Sequence, residues 1–578
     1  MDNNNLILGI DLGTTNSCIT IYRNHKAEVI KNNMGSNVTP SIISFVNNQR
    51  YYEDQAKKYK INYPKNTIFN VKRLLGRNFD DKEVQNDIKY LPFNVIKDNS
   101  TNKPMIEIEL NGKSEKFYPE EISAMLLSYL IKLVEKYLYK KIKNENVIIA
   151  VPSYFNEKQR KATLDAGKIA KLNVIQLIDE PIAAAIAYGL NYNINTIKKI
   201  LVFDFGGGTL DISVLEIGKK KFKILNSGGD SHFGGEDFDQ RLVDFCIRNI
   251  EKNKKLNIWN NKKLINKLKN ECENTKILLS TNKESNLYID NFYNNEEFNL
   301  TIARSDFEKE CEDLFNKCIP LIEKTLKEIK LTKNDINEVI LIGGTSKIPK
   351  IQKIIKDYFK TIFMTPTINP EEAIAIGAAI QGTKNYLLQL INPHSIGLNI
   401  NEDNEKNITS VLIPKNAILP FEKEEIFTTS KRNQTSVAFD IYQGENYYSK
   451  DNILIGGFVI KNIRKAEEGE IDFKVNMKLD ENGILSVSVI DTDNGKYKRI
   501  NIKNVINFDD KDFEYFKSRE RKFKKYEDDE NEYEITKMNT NEYTNSINGF
   551  EDLNSIPRTM RSSKTNSNFL KNKNQKNY

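Results

Sequence analysis

The chain has 578 residues, which is too long for one hydrophobic core and predicts roughly two to four domains. Hydrophobic residues make up 39% and charged residues 29% of the chain, a balance typical of folded domains and not of a disordered polymer. The formal net charge of +7 is small for this length, so no specific nucleic-acid partner is expected.

The cysteine usage and the hydropathy pattern indicate the cellular compartment in which the protein works. Five cysteines form no C-x-x-C motif and are odd in number: Cys18, Cys246, Cys272, Cys311 and Cys318. Such usage is typical of isolated, reduced thiols and not of a disulfide framework. The first residues lack the basic region of a secretory signal, and no apolar run approaches the ~18 residues of a membrane span. We therefore expect a cytoplasmic protein that contacts no membrane.

Two stretches of the chain share one pattern. Residues 6–16 read as an apolar strand, then Asp11, then a Gly/Thr turn, and residues 201–211 repeat this order with Asp204 and three glycines. Glycines without Cβ atoms let a backbone turn bring its N–H groups against an anion. The repetition predicts two similar lobes, each with a phosphate-binding turn at a strand end. For the three glycines alone, an ordinary hairpin turn is the alternative, and neither copy is a P-loop.

Helices and strands alternate between the two copies. Apolar residues at three-and-four spacing predict an amphipathic helix over 120–143, and residues 146–151 read as a strand ended by proline. Glu180 then lies at a strand-to-helix turn, because Pro181 begins an alanine-rich helix. A carboxylate at such a turn is either catalytic or a complement to the helix dipole, and both readings stay open.

The next segment adds a helix face and another glycine turn. Residues 232–280 look largely helical, and Glu273, Lys276 and Ser280 share one helix face. Residues 337–344 read as a strand that ends in a glycine pair. Strands that end in Gly, Pro or Thr turns, with helices between them, are typical of an α/β fold with ligand groups at strand ends.

The pattern changes in the last third of the chain. A small-residue helix suited to close packing, residues 373–379, precedes an apolar linker over 385–393. Short alternating segments with Asn-Gly turns then predict an antiparallel β-sandwich over 394–507. Residues 509–535 are charge-dense with interspersed aromatics and predict one helix or a short helical hairpin. The basic, Asn-rich tail, residues 551–578, is expected to be disordered and solvated.

Taken together, these motifs resemble those of the heat-shock protein 70 (DnaK-type) chaperone family. The matching stretches are residues 9–17, 71–77, 151–156, 179–185, 204–209, 234–239, 342–349 and 369–372. Their order and spacing hold over roughly residues 6–505, and the stretch 117–121 looks closer to the eukaryotic cytosolic branch. So many motifs in one order make the match a specific one.

The resemblance implies a fold class and a domain order. It implies a two-lobed, actin-like (ribonuclease-H-like) α/β ATPase domain, an all-β sandwich that grips extended apolar peptides, and a short helical and disordered C-terminal segment. The corresponding ranges are 1–384 for the ATPase domain, 385–393 for the linker, 394–507 for the sandwich, 508–550 for a truncated lid-like segment and 551–578 for the tail.

The resemblance also implies the residues of an ATP site. Asp11 and Asp204 are expected to hold Mg²⁺ largely through waters, with K⁺ as a second candidate ion. The expected catalytic residues, which neutralise charge near the γ-phosphate or orient the attacking water, are Lys72, Glu180, Asp204, Thr209 and Asp211. ATP or ADP is expected to contact Gly13, Thr14, Thr15, Asn16, Lys72, Gly206, Gly207, Gly208, Thr209, Gly235, Glu236, Glu273, Lys276, Ser280, Gly343, Gly344, Thr345, Ser346 and Lys347. Hydrolysis in such a site is positioning plus electrostatic stabilisation.

Plainer alternatives stand beside these assignments. Lys72 is otherwise a surface lysine, and the face with Lys276 is otherwise an exposed helix face. The family lines its peptide cleft at positions that correspond to Leu398, Phe427, Val437 and Phe439. Ordinary core packing is the alternative for these four, because alternation alone cannot choose between the two faces of a strand.

The chain departs from the family pattern where the domains communicate. Leu390 stands where the family linker usually has aspartate, and Gln176 stands where an arginine commonly precedes Glu180. Asp179 and Ile182 replace the usual Asn and Thr. These positions belong to the interdomain and J-domain communication surface, so coupling to a J-domain co-chaperone and a nucleotide exchange factor stays open. The usual helical lid and acidic tail motif are not expected either.

The leading hypothesis is an ATP-hydrolysing chaperone of the stress response that binds apolar segments of unfolded polypeptides, assists their folding and releases them quickly. The alternative is a nucleotide-binding, exchange-factor-like regulator that barely hydrolyses ATP. A sugar kinase or an actin-like filament protein shares the ATPase fold, but both lack a linker and a β-sandwich after residue 393.

Overall fold

The computed structural model describes residues 6–89, 91–189, 197–218, 221–255, 258–259, 261–360, 368–383, 386–402, 405–492, 497–501, 508, 510–521 and 523. The described residues up to Glu520 pack as one unit, and Arg521 begins a second unit. The predicted tail and most of the predicted segment 508–550 therefore lie outside the described residues.

The strands in chain order are β1 Ile7–Asp11, β2 Asn16–Arg23, β3 Lys26–Val29, β4 Thr39–Pro40, β5 Ile42–Val46, β6 Gln49–Tyr51, β7 Thr67–Phe69, β8 Asn94–Lys97, β9 Pro104–Leu110, β10 Lys113–Phe117, β11 Asn146–Val151, β12 Asn173–Asp179, β13 Lys198–Phe205, β14 Leu210–Gly218, β15 Lys221–Asp230, β16 Glu284–Tyr293, β17 Glu296–Ala303, β18 Glu338–Ile342, β19 Leu387–Gln389, β20 Ile396–Glu402, β21 Glu405–Ile413, β22 Phe421–Thr428, β23 Ser436–Gln443, β24 Ile453–Lys461, β25 Asp472–Leu479, β26 Leu485–Asp491 and β27 Tyr497–Asn501. The helices are α1 Glu53–Asn62, α2 Lys82–Ile88, α3 Pro119–Leu138, α4 Glu157–Ile169, α5 Glu180–Gly189, α6 Gly235–Lys254, α7 Lys262–Thr281, α8 Arg304–Glu310, α9 Glu312–Phe315, α10 Cys318–Glu328, α11 Pro349–Phe359 and α12 Ala373–Gln381. Short 3₁₀ turns lie at Pro64–Asn66, Val71–Arg73, Lys333–Asp335, Gly344–Lys347 and Ser449–Asp451.

Two mixed sheets share one arrangement around a central strand. In the first, the order is β12-β11-β1-β2-β3, and β1 is parallel to β11 and antiparallel to β2. In the second, the order is β18-β13-β14-β15-β19, and β13 is parallel to β18 and antiparallel to β14. The predicted repeat is therefore confirmed at the level of strand order. We call the elements packed on the first sheet the first lobe and those packed on the second sheet the second lobe.

The predicted helices are confirmed, with two corrections at their ends. The helix expected over 120–143 ends at Leu138, because Tyr139 takes a left-handed conformation with φ of 50° that breaks the helical repeat. The helical stretch expected over 232–280 is two helices, α6 and α7. In the part of the chain that the structure describes, no helix has the length and apolarity needed to span a bilayer.

The small-residue helix α12 packs closely against β1 and α5, as its composition predicts. A Cβ atom on Gly377 would lie 1.7 Å from the backbone oxygen of Ala183 in α5. On the strand side, a Cβ atom on Gly9 would lie 2.2 Å from the backbone nitrogen of Ala379. The glycines thus set how closely this helix approaches the strand that ends in Asp11.

We expect Gly377→Ala to destabilise the fold. Overpacking against the Ala183 carbonyl costs roughly 1–3 kcal/mol or more, which outweighs the roughly 0.5–1 kcal/mol that alanine gains over glycine in a helix. The measurement is the urea midpoint of the full chain by circular dichroism. Gly218→Ala is the matched control, since its Cβ would meet only Ile197 Cγ1 at 3.4 Å. Equal midpoints for the two variants would contradict the packing argument.

Two antiparallel four-stranded sheets follow the lobes, in the orders β21-β20-β23-β24 and β22-β25-β26-β27. The ring of Phe439 stacks on Phe458 at 5.3 Å between centroids and meets Phe473 of the other sheet at 5.6 Å. Since aromatic side chains of both sheets meet between them, the two sheets face each other. The predicted β-sandwich is present.

The linker is docked as an extra strand of the second lobe. Strand β19 pairs in parallel with β15, so that Lys221 lies opposite Leu387. The ring of Tyr386 meets Phe222 edge-on at 5.4 Å. Leu390, the departure from the family pattern, is buried, and its backbone oxygen accepts a hydrogen bond from Leu419 N at 3.0 Å. An apolar residue at this position therefore packs into the core.

A second joint connects the sandwich to the first lobe. His394 Nε2 lies 3.2 Å from the Tyr154 carbonyl oxygen, and Leu177 N donates to Asn482 Oδ1 at 3.2 Å. Burial lowers the pKa of His394 below its ordinary value of 6.5. The charged groups that face this histidine are Glu445, whose charge favours protonation, and Lys415, whose charge opposes it.

We expect this joint to weaken on acidification. Because the pKa of His394 is lowered in the folded protein, its neutral form is stabilised there. That stabilisation is present above about pH 6.5 and is lost as the pH falls through the lowered pKa. Between pH 7.5 and 5.5 the thermal midpoint of the natural chain should therefore fall further than that of His394→Gln, which keeps an amide donor. If the thermal midpoints of both proteins fell in parallel with pH, His394 would not contribute to the pH dependence of stability.

The segment after the sandwich contains the helix that the sequence predicts, over residues 510–521. Arg519 Nη1 lies 3.1 Å from Glu121 Oε1, and Arg50 Nη1 lies 2.5 Å from Glu520 Oε2. The ring of Phe508 meets Tyr118 at 4.8 Å between centroids. Ion pairs and aromatic contacts thus hold the start of this segment against the first lobe.

Candidate functional site

The two glycine turns predicted to bind phosphate lie against each other. A Cβ atom on Gly207 would lie 2.1 Å from Thr15 Oγ1, so only glycine permits this approach. The backbone N–H groups of Gly235 and Glu236, at the start of α6, donate to the carbonyls of Gly206 and Gly207 at 3.0 and 2.8 Å. The turn of the second lobe is thus held in place by the N-terminus of α6.

Lys72 lies in the site and not on the surface. It belongs to the 3₁₀ turn Val71–Arg73, and its Nζ lies 2.8 Å from Glu180 Oε1. Both side chains are about nine-tenths buried. Glu180 is the first residue of α5, directly after strand β12. The ion pair therefore decides against the surface-lysine reading, and the helix-dipole reading of Glu180 does not account for its partner.

Four carboxylates surround this one ammonium group. Carboxylate oxygens of Glu180, Asp204 and Asp211 lie within 4.8 Å of one another. Burial and the charge of Glu180 raise the pKa of Asp11 to about 7. Burial, then the charge of Glu180, also raises the pKa of Asp204 and of Asp211 well above the usual range. Because one lysine cannot balance these acids, the cluster is suited to a cation.

The donor set fits Mg²⁺, which prefers carboxylate oxygens and water. The sequence predicted Asp11 and Asp204 as the metal residues. The group of three carboxylate oxygens within 4.8 Å of one another contains Asp204 together with Glu180 and Asp211, which were predicted as catalytic. Thr209 Oγ1 donates to Asp211 Oδ2 at 3.1 Å. Strands β13 and β14 bring these groups together, because Asp204 lies opposite Asp211 in their register.

The residues predicted for adenosine also converge, around Gly235. Lys276 Nζ donates to the Gly235 carbonyl at 3.0 Å and lies 2.8 Å from the Asp239 carboxylate. A Cβ atom on Gly235 would lie 2.6 Å from Thr345 Oγ1, which itself donates to the Gly206 carbonyl at 2.8 Å. Helix α7 and the turn after β18 therefore meet at the start of α6.

The other predicted adenosine residues lie on these same elements. Ser280 follows Lys276 by one helical turn, and its Oγ donates to the Lys276 carbonyl at 3.4 Å. Ser346 Oγ donates to the Gly343 carbonyl at 2.7 Å. Lys347 is half-exposed and pairs with Glu371. Gly343 needs to be glycine, since its φ is 79° and a Cβ atom would lie 2.8 Å from Asp204 Oδ1.

The predicted peptide-cleft residues divide into two pairs. Leu398 and Phe439 are buried in the sandwich core, at 1% and 4% exposure. Phe427 and Val437 are partly buried and pack against the same core. Core packing therefore describes the first pair, and the cleft assignment of all four stays a prediction.

The sequence of the chain was compared with known proteins. The sequence model of the family described as Hsp70 protein matches residues 7–576. The chain is 40% identical over 505 residues to heat shock cognate 70 kDa protein 3 of Dictyostelium discoideum, which covers 86% of this chain and 80% of that protein. It is 39% identical over 508 residues to the heat shock 70 kDa protein of Neurospora crassa, with 86% and 77% coverage. The chain belongs to the Hsp70 family.

Membership of the Hsp70 family confirms the functional hypothesis. Hsp70 proteins are ATP-dependent chaperones with ATPase activity, and this chain is one of them. The family binds ATP or ADP with Mg²⁺ and binds unfolded polypeptides and co-chaperones. In the described structure, the carboxylate cluster lies beside the two glycine turns.

Sequence reasoning missed three residues that contact the predicted site. Tyr154 hydrogen-bonds Thr209, and burial raises the pKa of its phenol well above the usual range. Arg73 Nη2 donates to the Gly208 carbonyl at 2.9 Å. Asp239 holds Lys276. All three stand inside motifs that carry the family resemblance, but only their three-dimensional neighbours reveal a contact.

We expect Lys72→Ala to lower the single-turnover rate of ATP hydrolysis by about 100-fold or more, the usual cost of losing one electrostatic stabiliser of the transition state. Lys103→Ala is the matched control. It breaks a similarly buried lysine–glutamate pair, Lys103 Nζ to Glu120 Oε1 at 3.0 Å, outside the cleft. Rapid-quench measurement of ATP cleavage on both variants would contradict a catalytic Lys72 if the two rates fell alike.

Proposed function

We propose that ATP binds between the turn of Gly13 to Asn16 and the turn of Gly206 to Thr209 and is hydrolysed there. The observation that carries this proposal is the Lys72–Glu180 pair at 2.8 Å beside the half-buried Asp11 and the buried acids Asp204 and Asp211. A glycine turn from each lobe offers backbone N–H groups to phosphate oxygens. The site then lies where the carboxyl ends of the central strands of both sheets converge, as in other open α/β sheets.

We assign distinct tasks to the residues around the γ-phosphate. The Lys72 ammonium offsets phosphate charge, and Glu180 keeps that ammonium in place. Asp211, held by the hydroxyl of Thr209, accepts a hydrogen bond from the attacking water and orients it. Tyr154 in turn hydrogen-bonds Thr209 and so holds this hydroxyl. No residue forms a covalent intermediate, and the rate gain comes from positioning and electrostatics.

We propose that Asp204 holds Mg²⁺ through oxygen contacts and waters, together with Asp11, Glu180 or Asp211. Mg²⁺ bound there would neutralise phosphate charge. It would also offset the charge of the carboxylates, whose pKa values burial and mutual repulsion raise. K⁺ is a second candidate in the same oxygen-rich cluster.

Asp204→Asn should raise the Mg²⁺ concentration needed for half-maximal ATP hydrolysis by about 10-fold or more, because it removes a charged ligand. A Mg²⁺ titration of the hydrolysis rate measures this. Asp239→Asn is the matched control, since Asp239 is a carboxylate of the site that pairs with Lys276 and not with the metal cluster. An unchanged Mg²⁺ requirement in Asp204→Asn would remove Asp204 from the metal site.

For the rest of the chain, we infer the layout given by the sequence: ATPase domain 1–384, linker 385–393, peptide-binding sandwich 394–507, lid-like segment 508–550 and tail 551–578. The docked strand β19 and the buried Leu390 support a linker that still reports on the nucleotide lobes. We propose an apolar, extended polypeptide as the ligand of the sandwich, and a J-domain co-chaperone and an exchange factor as partners. Five free, buried cysteines fit a cytoplasmic location.

Peptide release tests the coupling. ATP should accelerate the release of a fluorescent apolar heptapeptide from the purified chain, and Lys72→Ala should keep this response, because binding of ATP and not its cleavage loosens the grip. Val437→Asp should abolish peptide binding, while Val411→Asp, at a 42% exposed position of the sandwich, should not. Peptide release that ignores ATP would contradict the coupling. Equal single-turnover hydrolysis by the natural chain and Lys72→Ala would favour a non-hydrolysing regulator.

A further inference from the structure

Asn70, next to the turn that carries Lys72, makes a contact between the two lobes. Its Nδ2 lies 2.9 Å from Glu236 Oε1 and 3.0 Å from Glu236 Oε2. Asn70 is 8% exposed, so this amide has left bulk water for its partner. Hydrogen bonds to a charged group are roughly twice as strong as neutral ones.

The backbone at Asn70 explains why asparagine suits this position. Its φ of 55° and ψ of 24° place it in the left-handed region, which asparagine tolerates better than most residues. This conformation precedes the turn Val71–Arg73, which contacts the first-lobe helix α3 and carries Lys72. A residue fixed in this way presents its amide to the second lobe, while Lys72, two residues further on, pairs with Glu180.

Glu236 connects that amide to the phosphate turn of the second lobe. Its backbone N–H donates to the Gly207 carbonyl at 2.8 Å, and its side chain also accepts from Thr15 Oγ1 of the first lobe at 3.5 Å. Helix α6, in which Glu236 is the second residue, packs its apolar face into the core beneath β13. The side chain and the backbone of Glu236 therefore connect Asn70 to the turn of Gly206 to Thr209.

Arg73, on the other side of Lys72, makes a second contact of the same kind. Its Nη2 donates to the Gly208 carbonyl at 2.9 Å, and its Nη1 lies 3.4 Å from Asp87 of the first lobe. This short segment thus contacts two consecutive glycines of the facing lobe. Asn70 reaches Gly207 through Glu236, and Arg73 contacts Gly208 directly. Lys72 lies between these two holds.

We propose that Asn70 and Glu236 form a clasp that keeps the cleft closed over bound nucleotide, so that its opening sets the rate at which ADP leaves. This inference rests on the proposed nucleotide site. A nucleotide between the two glycine turns cannot leave until the lobes separate, and separation breaks the Asn70–Glu236 contact. After hydrolysis and loss of phosphate, Lys72 no longer has a γ-phosphate to hold, so the clasp and the Arg73–Gly208 contact remain as polar links between this turn and the facing lobe.

The test is the dissociation rate of a fluorescent ADP analogue from the full-length chain, followed by stopped-flow with excess unlabelled ADP. Asn70→Ala should release ADP about 10-fold faster, as expected for the loss of a charge-assisted hydrogen bond. Asn70→Asp should release it faster still, because it sets a carboxylate against Glu236, and added salt should slow this variant by screening. Single-turnover hydrolysis of bound ATP should change much less than release does.

The matched control is Asn37→Ala. Asn37 Nδ2 donates to Glu372 Oε1 at 2.9 Å, an asparagine–glutamate contact of the same chemistry, but Glu372 precedes α12 and both residues belong to the first lobe. This variant should release ADP at the natural rate. A thermal melt of each variant separates faster release from loss of folding.

A double-mutant cycle separates a clasp from independent local effects. If the two side chains act through each other, Asn70→Ala combined with Glu236→Ala should release ADP no faster than Glu236→Ala alone. Multiplicative effects would overturn the clasp, as would natural release rates in both Asn70 variants. If the natural chain binds no fluorescent ADP at all, the proposed nucleotide site itself fails, which is a distinguishable result.

Discussion

The convergence of buried carboxylates on Lys72 is the constraint on which the rest of this structure depends. Two strands from two sheets carry an aspartate at or next to their last residue, Asp11 and Asp204, and folding brings these acids together with Glu180 and Asp211. Their raised pKa values report that the protein alone does not fully stabilise the charged forms. A site with this excess of negative charge favours a divalent cation, which can also carry the phosphates of a nucleotide. A Mg-dependent ATPase requires such a site.

Such a cluster needs a scaffold that does not relax to separate the charges. Helix α12 supplies part of it, since Gly377 and Gly9 let the helix sit directly against α5 and β1. Backbone contacts also hold the glycine turns next to the acids. Gly234, for example, packs so closely on Gly207 that a Cβ atom would clash with the Gly207 carbonyl. Close backbone packing therefore converts a repulsive set of side chains into a preorganised site.

Contacts connect the sandwich to the lobes on both sides of the predicted site. Tyr154 faces Thr209 with its phenol and His394 with its backbone carbonyl, so a single residue touches both the hydrolysis site and the joint of the sandwich. The linker strand β19 extends the second sheet from the other side. Both connections exist although Gln176 and Leu390 depart from the family pattern, because backbone pairing and apolar burial do not need the family's charged side chains.

Local chemistry explains what could be predicted from the sequence. A strand, an aspartate and a glycine turn are all visible within ten residues, so the repeat and the β-sandwich were predictable, while the ligand roles of Asp11 and Asp204 stay predictions. The pairing of Lys72 with Glu180 was reachable only through the family resemblance, since 108 residues separate them.

The sequence by itself determined the two lobes with their glycine turns, the fold class of an α/β domain followed by a β-sandwich, and the family. Tertiary structure alone decided that Asp211 joins the carboxylate cluster through its register with Asp204, and that Leu398 and Phe439 are buried in the sandwich core. It also decided the partner of Asn70, which is Glu236, 166 residues away. The physical reason is that strand and turn propensities act over a few neighbouring residues, whereas pairing of side chains across a cleft is set by how whole sheets and helices pack.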